Sequence, residues 1–460
     1  MRNPLLAPEV RELLQEGRTN DLLSVLQEMH PTDAAAILSA LEDHEVAAAL
    51  SLLPLQMERD VFGYLEPDVQ EHYVLGAGRD RVRQVLLSML SDDRAEFLER
   101  FDERVRSQLI SMLPSAACED LRRRSTFRED QVGSFLSTDY AVLNPSLTAR
   151  TAIAELRRQA PGKETIYYSY VVDKLGKAVG FCSLRDLILA RDDQPISEIM
   201  KTDIVTVTAD ADQEVAAKII RDYDLLALPV VDADGRLVGI VTHDDAVDIV
   251  EEEAAEDLAK MAGVTGDSAG EDFLAEPVWK QVRRRAPVIC LLALFWLFTA
   301  TIIKGFEKEL AGNSLLIALL PMVMAIGGMV GSQASTLIVR AISTTSMKAT
   351  LWVVLWKELR VSFALAAILA GIAFINAWLL QRFTEADRPL DATLHIAFVI
   401  AIAMSADVLF AAALGAAIPY FVKVMRIDPA LISTPAVTAL TDLTGASIYL
   451  VVVTLLLNNH

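Results

Sequence analysis

The stretch TPAVTALTDLTGASIYLVVVTLLL, residues 434–457, sets a carboxylate inside a segment long and apolar enough to cross a bilayer. A charge in hydrocarbon costs several kcal/mol, so such residues are rare and face a bundle interior or an aqueous path. Thr434, Thr438, Thr441 or Asp442, and Gly445 recur at steps of three and four, placing one polar stripe on an otherwise apolar helix. That pattern suits a cation pore. The bland alternative is a buried ion pair, but the last two apolar segments carry Lys or Arg only near their ends. Asp407, in AMSADVLFAAALG, is a second carboxylate at depth. Its neighbours are less polar, and interface packing, a protonated acid and a pore role are all open to it.

A second constellation lies upstream. THDDAVDIVEEEAAEDLAKMAGV packs Asp244, Asp245, Asp248, Glu251, Glu252, Glu253, Glu256 and Asp257 into fourteen residues. Helical spacing puts residues 245, 248, 252 and 256 along one side, with 253 and 257 beside it, and like charges so arranged repel. A solvated face is the common reading of such a run. The chemical reading is that divalent cations bridge these carboxylates to other acids, such as Asp92 and Asp93. Through TGDSAGEDFLAEP the segment leads to the first apolar span, so binding here would be felt by the membrane part.

Charge divides the chain into two parts. From residue 286 onward there are 9 acidic and 10 basic residues, against 53 acidic and 32 basic before it. An acidic, water-soluble part therefore precedes a nearly neutral membrane part, and the excess of negative charge excludes nucleic acid and favours cations as partners. Three scattered cysteines, Cys118, Cys182 and Cys290, offer neither a disulfide framework nor a zinc site. With no Walker-type loop and no catalytic constellation, the chain does not read as an enzyme.

Five spans are expected, over residues 286–305, 315–341, 361–380, 394–422 and 430–457, each long enough for a 30 Å hydrocarbon core. Lys and Arg concentrate before the first span, between the second and third, and between the fourth and fifth. This places the N-terminal part in the cytoplasm and the C-terminus outside. No hydrophobic run opens the sequence, so the first span is expected to direct insertion. The second span, PMVMAIGGMVGSQASTLIVR, carries Pro321, Gly327, Gly328 and Gly331. These fit two readings: close helix packing, or a broken backbone whose freed carbonyls touch an ion.

Two internal repeats organise the soluble part. Residues 37–54 and 97–114 match at an offset of 60, as expected of stacked helical hairpins in a solenoid. Residues 168–190 and 227–249 match at an offset of 59, each reading strand, Gly turn, strand, then a helix opened by Ser183-x-x-Asp186 or Thr242-x-x-Asp245. This second pair resembles tandem CBS domains, whose G-h-x-[ST]-x-x-D turn holds adenine nucleotides in many members.

The order of helical solenoid, CBS pair, acidic helix and five spans resembles the MgtE family of magnesium channels. The most specific pieces are HPTDAAAILSAL, ETIYYSYVVD, YDLLALPVVDADGRLVGIVT, GGMVGSQASTLIVRA and DPALISTPAVTALTDLTGASIY. The resemblance implies a multidomain protein: an all-α N domain (1–130), an α/β CBS pair (131–250), an acidic connecting helix (251–280) and a five-helix transmembrane domain (281–460). It further implies a homodimer in the lipid bilayer with one pore at the subunit interface, where Asp442, Thr438, Thr434, Gly328 and Gly331 face a hydrated Mg2+. Cytosolic Mg2+ would close that pore through Asp93, Asp212, Glu214, Asp224, Asp245, Asp248, Glu253, Glu256 and Asp257. ATP would sit near Tyr168, Arg185 and Asp186. The chain departs from the family pattern at Met329 and Thr434, where Asn is usual, and Asp407 would offset the lost polarity. Mg2+ is hard and keeps much of its water, which suits few carboxylates better than a full cage. Two other function classes are weighed against a Mg2+ channel: a Co2+, Ni2+ or Mn2+ transporter of the same build, and a membrane-anchored nucleotide sensor that conducts nothing.

Overall fold

The computed structural model describes residues 6–264, 276–307, 314–344, 351–384, 389–425 and 434–457. They fall into two compact units, Met1–Val250 and Glu251–His460.

The first unit opens with ten short helices, α1 (Ala7–Gln15) to α10 (Ser115–Arg124). The 60-residue repeat appears here as helices. α3 (Pro31–Leu38), α4 (Asp43–Leu52) and α5 (Leu55–Gly63) correspond to α8 (Ser91–Glu99), α9 (Glu103–Ile110) and α10. Leu38, Leu41 and Leu53 are buried, and so are their counterparts Leu98, Phe101 and Leu113. One continuous apolar core runs from Ala7 to Leu113, because each short helix covers the open face of the one before it. Inside this core Glu58 is fully buried and accepts from the Tyr73 hydroxyl at 2.7 Å and Arg81 Nε at 2.9 Å. The carboxylate is thus matched by a cation and a donor.

The short α11 (Val132–Phe135) leads into two copies of one motif. In the first, β1 (Tyr140–Leu143), α12 (Ala149–Gln159), β2 (Thr165–Val172), β3 (Ala178–Ser183) and α13 (Leu184–Leu189) follow in order. After α14 (Ile196–Ile199), the second copy runs β4 (Val207–Thr208), α15 (Gln213–Tyr223), β5 (Ala227–Val231), β6 (Leu237–Thr242) and α16 (His243–Met261). Each copy forms a three-stranded sheet in which the first pair is parallel and the second antiparallel. The VVD-x-x-G signature is the hairpin turn. Asp173 Oδ1 accepts from the N–H of Leu175 and Lys177 at 2.8 and 2.9 Å, and Asp232 Oδ1 from those of Asp234 and Arg236 at 2.9 and 2.8 Å. Gly176 and Gly235 close the turns at φ +80°, a region other residues enter only with strain. The acidic helix begins at His243, within the second CBS copy, and stays helical to Met261.

The second unit holds five helices long and apolar enough to cross a membrane: α17 (Val278–Gly305), α18 (Ser314–Thr344), α19 (Leu351–Thr384), α20 (Leu390–Val424) and α21 (Thr434–Leu457). α20 is the hub, packing on α18, α19 and α21, while α17 leans on α21. The broken-backbone reading of the second span is overturned. α18 is one uninterrupted helix through Gly327, Gly328 and Gly331, and Pro321 inside it withholds only the one N–H that Ile317 O would have accepted. The glycines serve contact instead. Gly331 meets Gly415 of α20 so closely that a Cβ at Gly415 would fall on the Gly331 carbonyl oxygen. A buried hydrogen bond from the Tyr449 hydroxyl to Leu316 O, 2.9 Å, pins α21 to α18.

This crossing generates a prediction. Gly415→Ala must push α18 and α20 apart and should cost about 1–3 kcal/mol. Gly371→Ala, on α19 with nothing within 4 Å of the added carbon, should be neutral. Thermal unfolding of the detergent-solubilised protein checks both.

Candidate functional site

The site in the membrane unit is built where α18 faces α21. A Cβ added at Gly328 would lie 3.0 Å from Thr438 Cγ2 and 3.3 Å from Asp442 Oδ1, so the bare glycine is what admits both side chains. Ser332 Oγ stands 2.7 Å from Thr438 Oγ1, and Thr438 in turn reaches Thr434 O at 3.0 Å. A hydroxyl has one proton. With Thr438 donating to Thr434 O, Ser332 donates to Thr438. Asp442 is half-buried, and the Trp296 indole of α17 lies within hydrogen-bonding reach of it.

The expected stripe on α21 divides in two. Thr438 and Asp442 share the face toward Gly328, but Thr441 is fully buried and its methyl meets Gly331. Its hydroxyl turns back on its own helix, to Val437 O and Thr438 O at 3.0 and 2.9 Å. Gly331 therefore packs away from the Asp442 face. Gly445 faces Asp407, which is fully buried and wedged between Gly445 and Gly327 with neither carboxylate oxygen hydrogen-bonded. Met329, where an amide was expected, is 58% exposed on the outside of the unit. Ser332 was not singled out in the sequence. Its only signal was its position one helical turn after Gly328.

In the first unit the chain gathers carboxylates from three places. α8 is tied to the segment just before β1 by hydrogen bonds from Ser91 N–H to Asp139 Oδ2 at 2.9 Å and from Thr138 N–H to Ser91 Oγ at 2.9 Å, and to α10 by one from Arg124 Nη2 to Ser91 Oγ at 3.1 Å. This brings Asp92 and Asp93 toward Glu164 at the edge of β2 and toward Asp244 and Asp245 at the start of α16. Burial, then Asp245 and Asp93, push the Asp92 carboxyl up to about 7, with Arg124 opposing. Burial and the same crowd push Glu164 up to about 8. Asp93 keeps an exposed side, so water screens it; lost hydration and then Glu96 and Asp245 raise it to about 6. Asp245 is also raised, by burial first, against hydrogen bonds from Thr242 N–H at 2.8 Å and Oγ1 at 2.7 Å that favour its charged form. Groups that hold protons this firmly sit in excess negative potential, which fits a divalent cation. Among the described residues no three such ligands converge into a ready-made cage. Glu164 was invisible as a member because nothing in a strand-edge glutamate marks which acids the fold will bring to it.

The remaining expected sensor residues are dispersed. Asp212 caps the N-terminus of α15, accepting from Glu214 N–H at 2.8 Å, and Glu214 pairs with Lys218 at 2.6 Å. Asp224 ends the same helix at its other extremity, in the left-handed region at φ +52°. Asp248 lies exposed on α16, and Glu253, Glu256 and Asp257 follow on its later turns, Glu256 paired with Lys260 at 2.9 Å. The expected nucleotide residues do come together. Tyr168 on β2 pairs in register with Ser183, which caps α13 by accepting from Asp186 N–H at 3.0 Å, and exposed Arg185 lies between them in sequence. Asp186 also receives Lys201 at 3.5 Å.

Among the described residues, five helices long and apolar enough to span a membrane, following a helical and an α/β module, define a multi-pass membrane protein. Residues 320–452 match the MgtE model, described as a divalent cation transporter; 29–130 match the MgtE intracellular N domain, and 132–193 and 196–252 the CBS domain. The chain is 35% identical over 457 residues to the magnesium transporter MgtE of Thermus thermophilus, covering 98% of each. It is 29% identical to that of Bacillus subtilis over 95% of this chain and 94% of the other. A crystal structure of the cytosolic domain of the Mg2+ channel MgtE in complex with ATP is 38% identical, spans 53% of this chain and 100% of that one, and superposes with a TM-score of 0.50. The chain belongs to the MgtE family.

The acid cluster yields a signed pH dependence. Its carboxyls bind protons more tightly in the folded unit than at their ordinary values of 3.8 and 4.5, so protonation favours the packed arrangement. Without divalent cations, protease resistance of the first unit in the full-length protein should fall as pH climbs from about 4, where the unfolded chain's carboxyls ionise, to about 8, where the last folded one does. Millimolar Mg2+ should restore it at high pH and change little at pH 5. Glu164→Gln should flatten the profile.

Proposed function

We propose that this chain forms a Mg2+ channel, a homodimer in the cell membrane, with its N-terminal part in the cytoplasm and its C-terminus outside. One observation carries the reading: a half-buried carboxylate, Asp442, set with Thr438 and Ser332 at a glycine-lined contact inside a bundle of five apolar helices. Mg2+ sheds water reluctantly and is held through few carboxylates. Asp442 would accept hydrogen bonds from the ion's water shell, and the hydroxyl oxygens of Thr438 and Ser332, their protons already donated, would offer lone pairs to the same shell. Thr434, as the carbonyl that orients Thr438, and Gly328, as the gap that admits both side chains, complete the seat. Paired across a two-fold axis, one Asp per subunit matches the charge of one divalent ion. No energy source beyond the membrane potential is needed. A potential of 100 mV, inside negative, drives a divalent ion inward by about 4.6 kcal/mol.

Closure is assigned to the soluble part. Asp93 and Asp245, with Asp92 and Glu164, repel when ionised and would be drawn together by Mg2+. Asp212, Glu214, Asp224, Asp248, Glu253, Glu256 and Asp257 would bind further ions along α15 and α16. Several weak sites together supply the roughly 5 kcal/mol that switches a population almost fully. ATP would bind at Tyr168, Arg185 and Asp186 as a regulatory ligand, supported by the complex reported for the related cytosolic domain.

Three experiments test this. Asp442→Ala should abolish Mg2+ flux into proteoliposomes while the protein still purifies folded; normal flux would remove the pore from α21. Flux compared across Mg2+, Co2+, Ni2+ and Mn2+ decides the ion. Replacing Asp248, Glu253 and Asp257 together by Ala should leave the channel open at millimolar Mg2+. If that variant closes normally, the acidic helix is only a solvated face.

A further inference from the structure

Asp407 is unusual in being satisfied in neither charge state. It is fully buried on α20, and neither carboxylate oxygen has a hydrogen-bond partner. Neighbouring hydroxyls are spent on their own helices: Ser405 on Ala401 O, Thr441 on Val437 O, Thr444 on Leu440 O. An ionised Asp407 therefore lacks donors, and a protonated one lacks an acceptor. What surrounds it is bare backbone. A Cβ on Gly445 of α21 would stand 2.6 Å from Oδ1, and one on Gly327 of α18 would overlap Oδ2. The one charged neighbour that faces it is Asp442.

Its address is as informative as its isolation. Gly327, against Asp407, is followed at once by Gly328, against Asp442. Consecutive Cα atoms are about 3.8 Å apart, so the two carboxylates stand within about 10 Å of each other across one turn of α18. Gly445, the other wall of Asp407, lies three residues after Asp442 on α21. Two anions so placed in a low-dielectric bundle repel, and among the described residues no Lys or Arg is in an ion pair with either.

We propose that Asp407 is a second, non-contacting charge of the ion seat, a positioning residue that strengthens divalent over monovalent cation binding at Asp442. The proposal rests on the assignment of Asp442 to the pore. An ion beside Asp442 feels Asp407 through the glycine contact without touching it, since Coulomb attraction needs no shared ligand. Counted over both subunits of the proposed dimer, Asp407 doubles the negative charge around the seat, and a stronger field favours a divalent ion over a monovalent one because the attraction scales with the ion's charge. The glycines at 327 and 445 fit this role, because any side chain there would displace the carboxylate from the seat.

The test uses full-length protein in proteoliposomes, with Mg2+ uptake measured against Mg2+ concentration and against competing K+. Asp407→Asn keeps size and shape. It should raise half-saturating Mg2+ roughly tenfold or more, lower maximal flux less, and make uptake more sensitive to K+. Thermal unfolding in detergent should be unchanged or improved, because a buried charge has gone. Asp407→Ser, smaller and neutral, carries the same expectation if the Asn variant does not fold. Unchanged half-saturation and unchanged K+ competition in a folded neutral variant overturn the proposal. An Asp442→Asn arm separates the two assignments: if it transports normally the pore reading has failed, and if it is dead while Asp407→Asn is normal, only the role of Asp407 has failed.

Discussion

Carboxylates taken out of water without an internal counter-charge are the constraint around which both units are arranged. An ionised group stripped of solvent is costly unless something positive or hydrogen-bonding replaces the water. Glu58 shows the ordinary solution, a buried acid matched by Arg81 and Tyr73. Asp92, Glu164 and Asp245 in the soluble unit, and Asp407 in the membrane unit, do not follow it. Arg124 opposes the cluster only in part, and Asp407 has no hydrogen-bond partner among the described residues. Groups in that condition are stabilised by whatever cation arrives, proton or metal, and by linkage the arriving ion stabilises the arrangement that holds them.

Such acids cannot place themselves, since they repel, so other parts of the fold must hold them. In the soluble unit the holding is done by the apolar core that runs through the stacked helices and by the Ser91, Thr138 and Asp139 hydrogen bonds. Exposed ion pairs such as Arg18 with Asp21 add little, because solvent screens them. In the membrane unit there is no hydrophobic drive between helices, and close approach has to come from small residues. The Gly331–Gly415 contact and the Tyr449–Leu316 hydrogen bond fix how α18, α20 and α21 cross. That crossing decides which carboxylate each of Gly327 and Gly328 meets.

Sequence periodicity carried the architecture well. The 60- and 59-residue offsets became repeated helices and repeated sheets, because repeat units must bury equivalent faces. The VVD-x-x-G signature became one turn twice over, since its aspartate and glycine are chosen by local geometry. Tertiary contacts were less legible. Steps of three and four on α21 made one stripe on paper, yet Thr438 and Asp442 meet Gly328 of α18, Thr441 packs on Gly331 one turn further along α18, and Gly445 meets Asp407 of α20. A helical wheel gives angles about one axis and is silent on where the neighbours stand. The glycines of the second span misled for a related reason: in isolation they read equally as broken backbone or as contact, and only the facing residues distinguish the two. Glu164 and Ser332 were missed because their partners lie far away in sequence.

Asp245 belongs to two structures at once. One of its oxygens accepts both Thr242 donors and so starts α16, while its charge adds to the crowd around Asp92 and Glu164. Neutralising the crowd therefore changes the electrostatics at the root of a helix that continues unbroken for 19 residues to Met261. At 1.5 Å per residue such a helix is about 28 Å long and behaves as a stiff lever rather than a linker. Asp248 in its second turn and Glu253, Glu256 and Asp257 further along lie on the same helix, so any ions bound there would act on the same element as ions that quiet repulsion at its root. A helix that starts on a cap shared with the acid cluster and bears acids to its end is suited to make several weak binding events count as one.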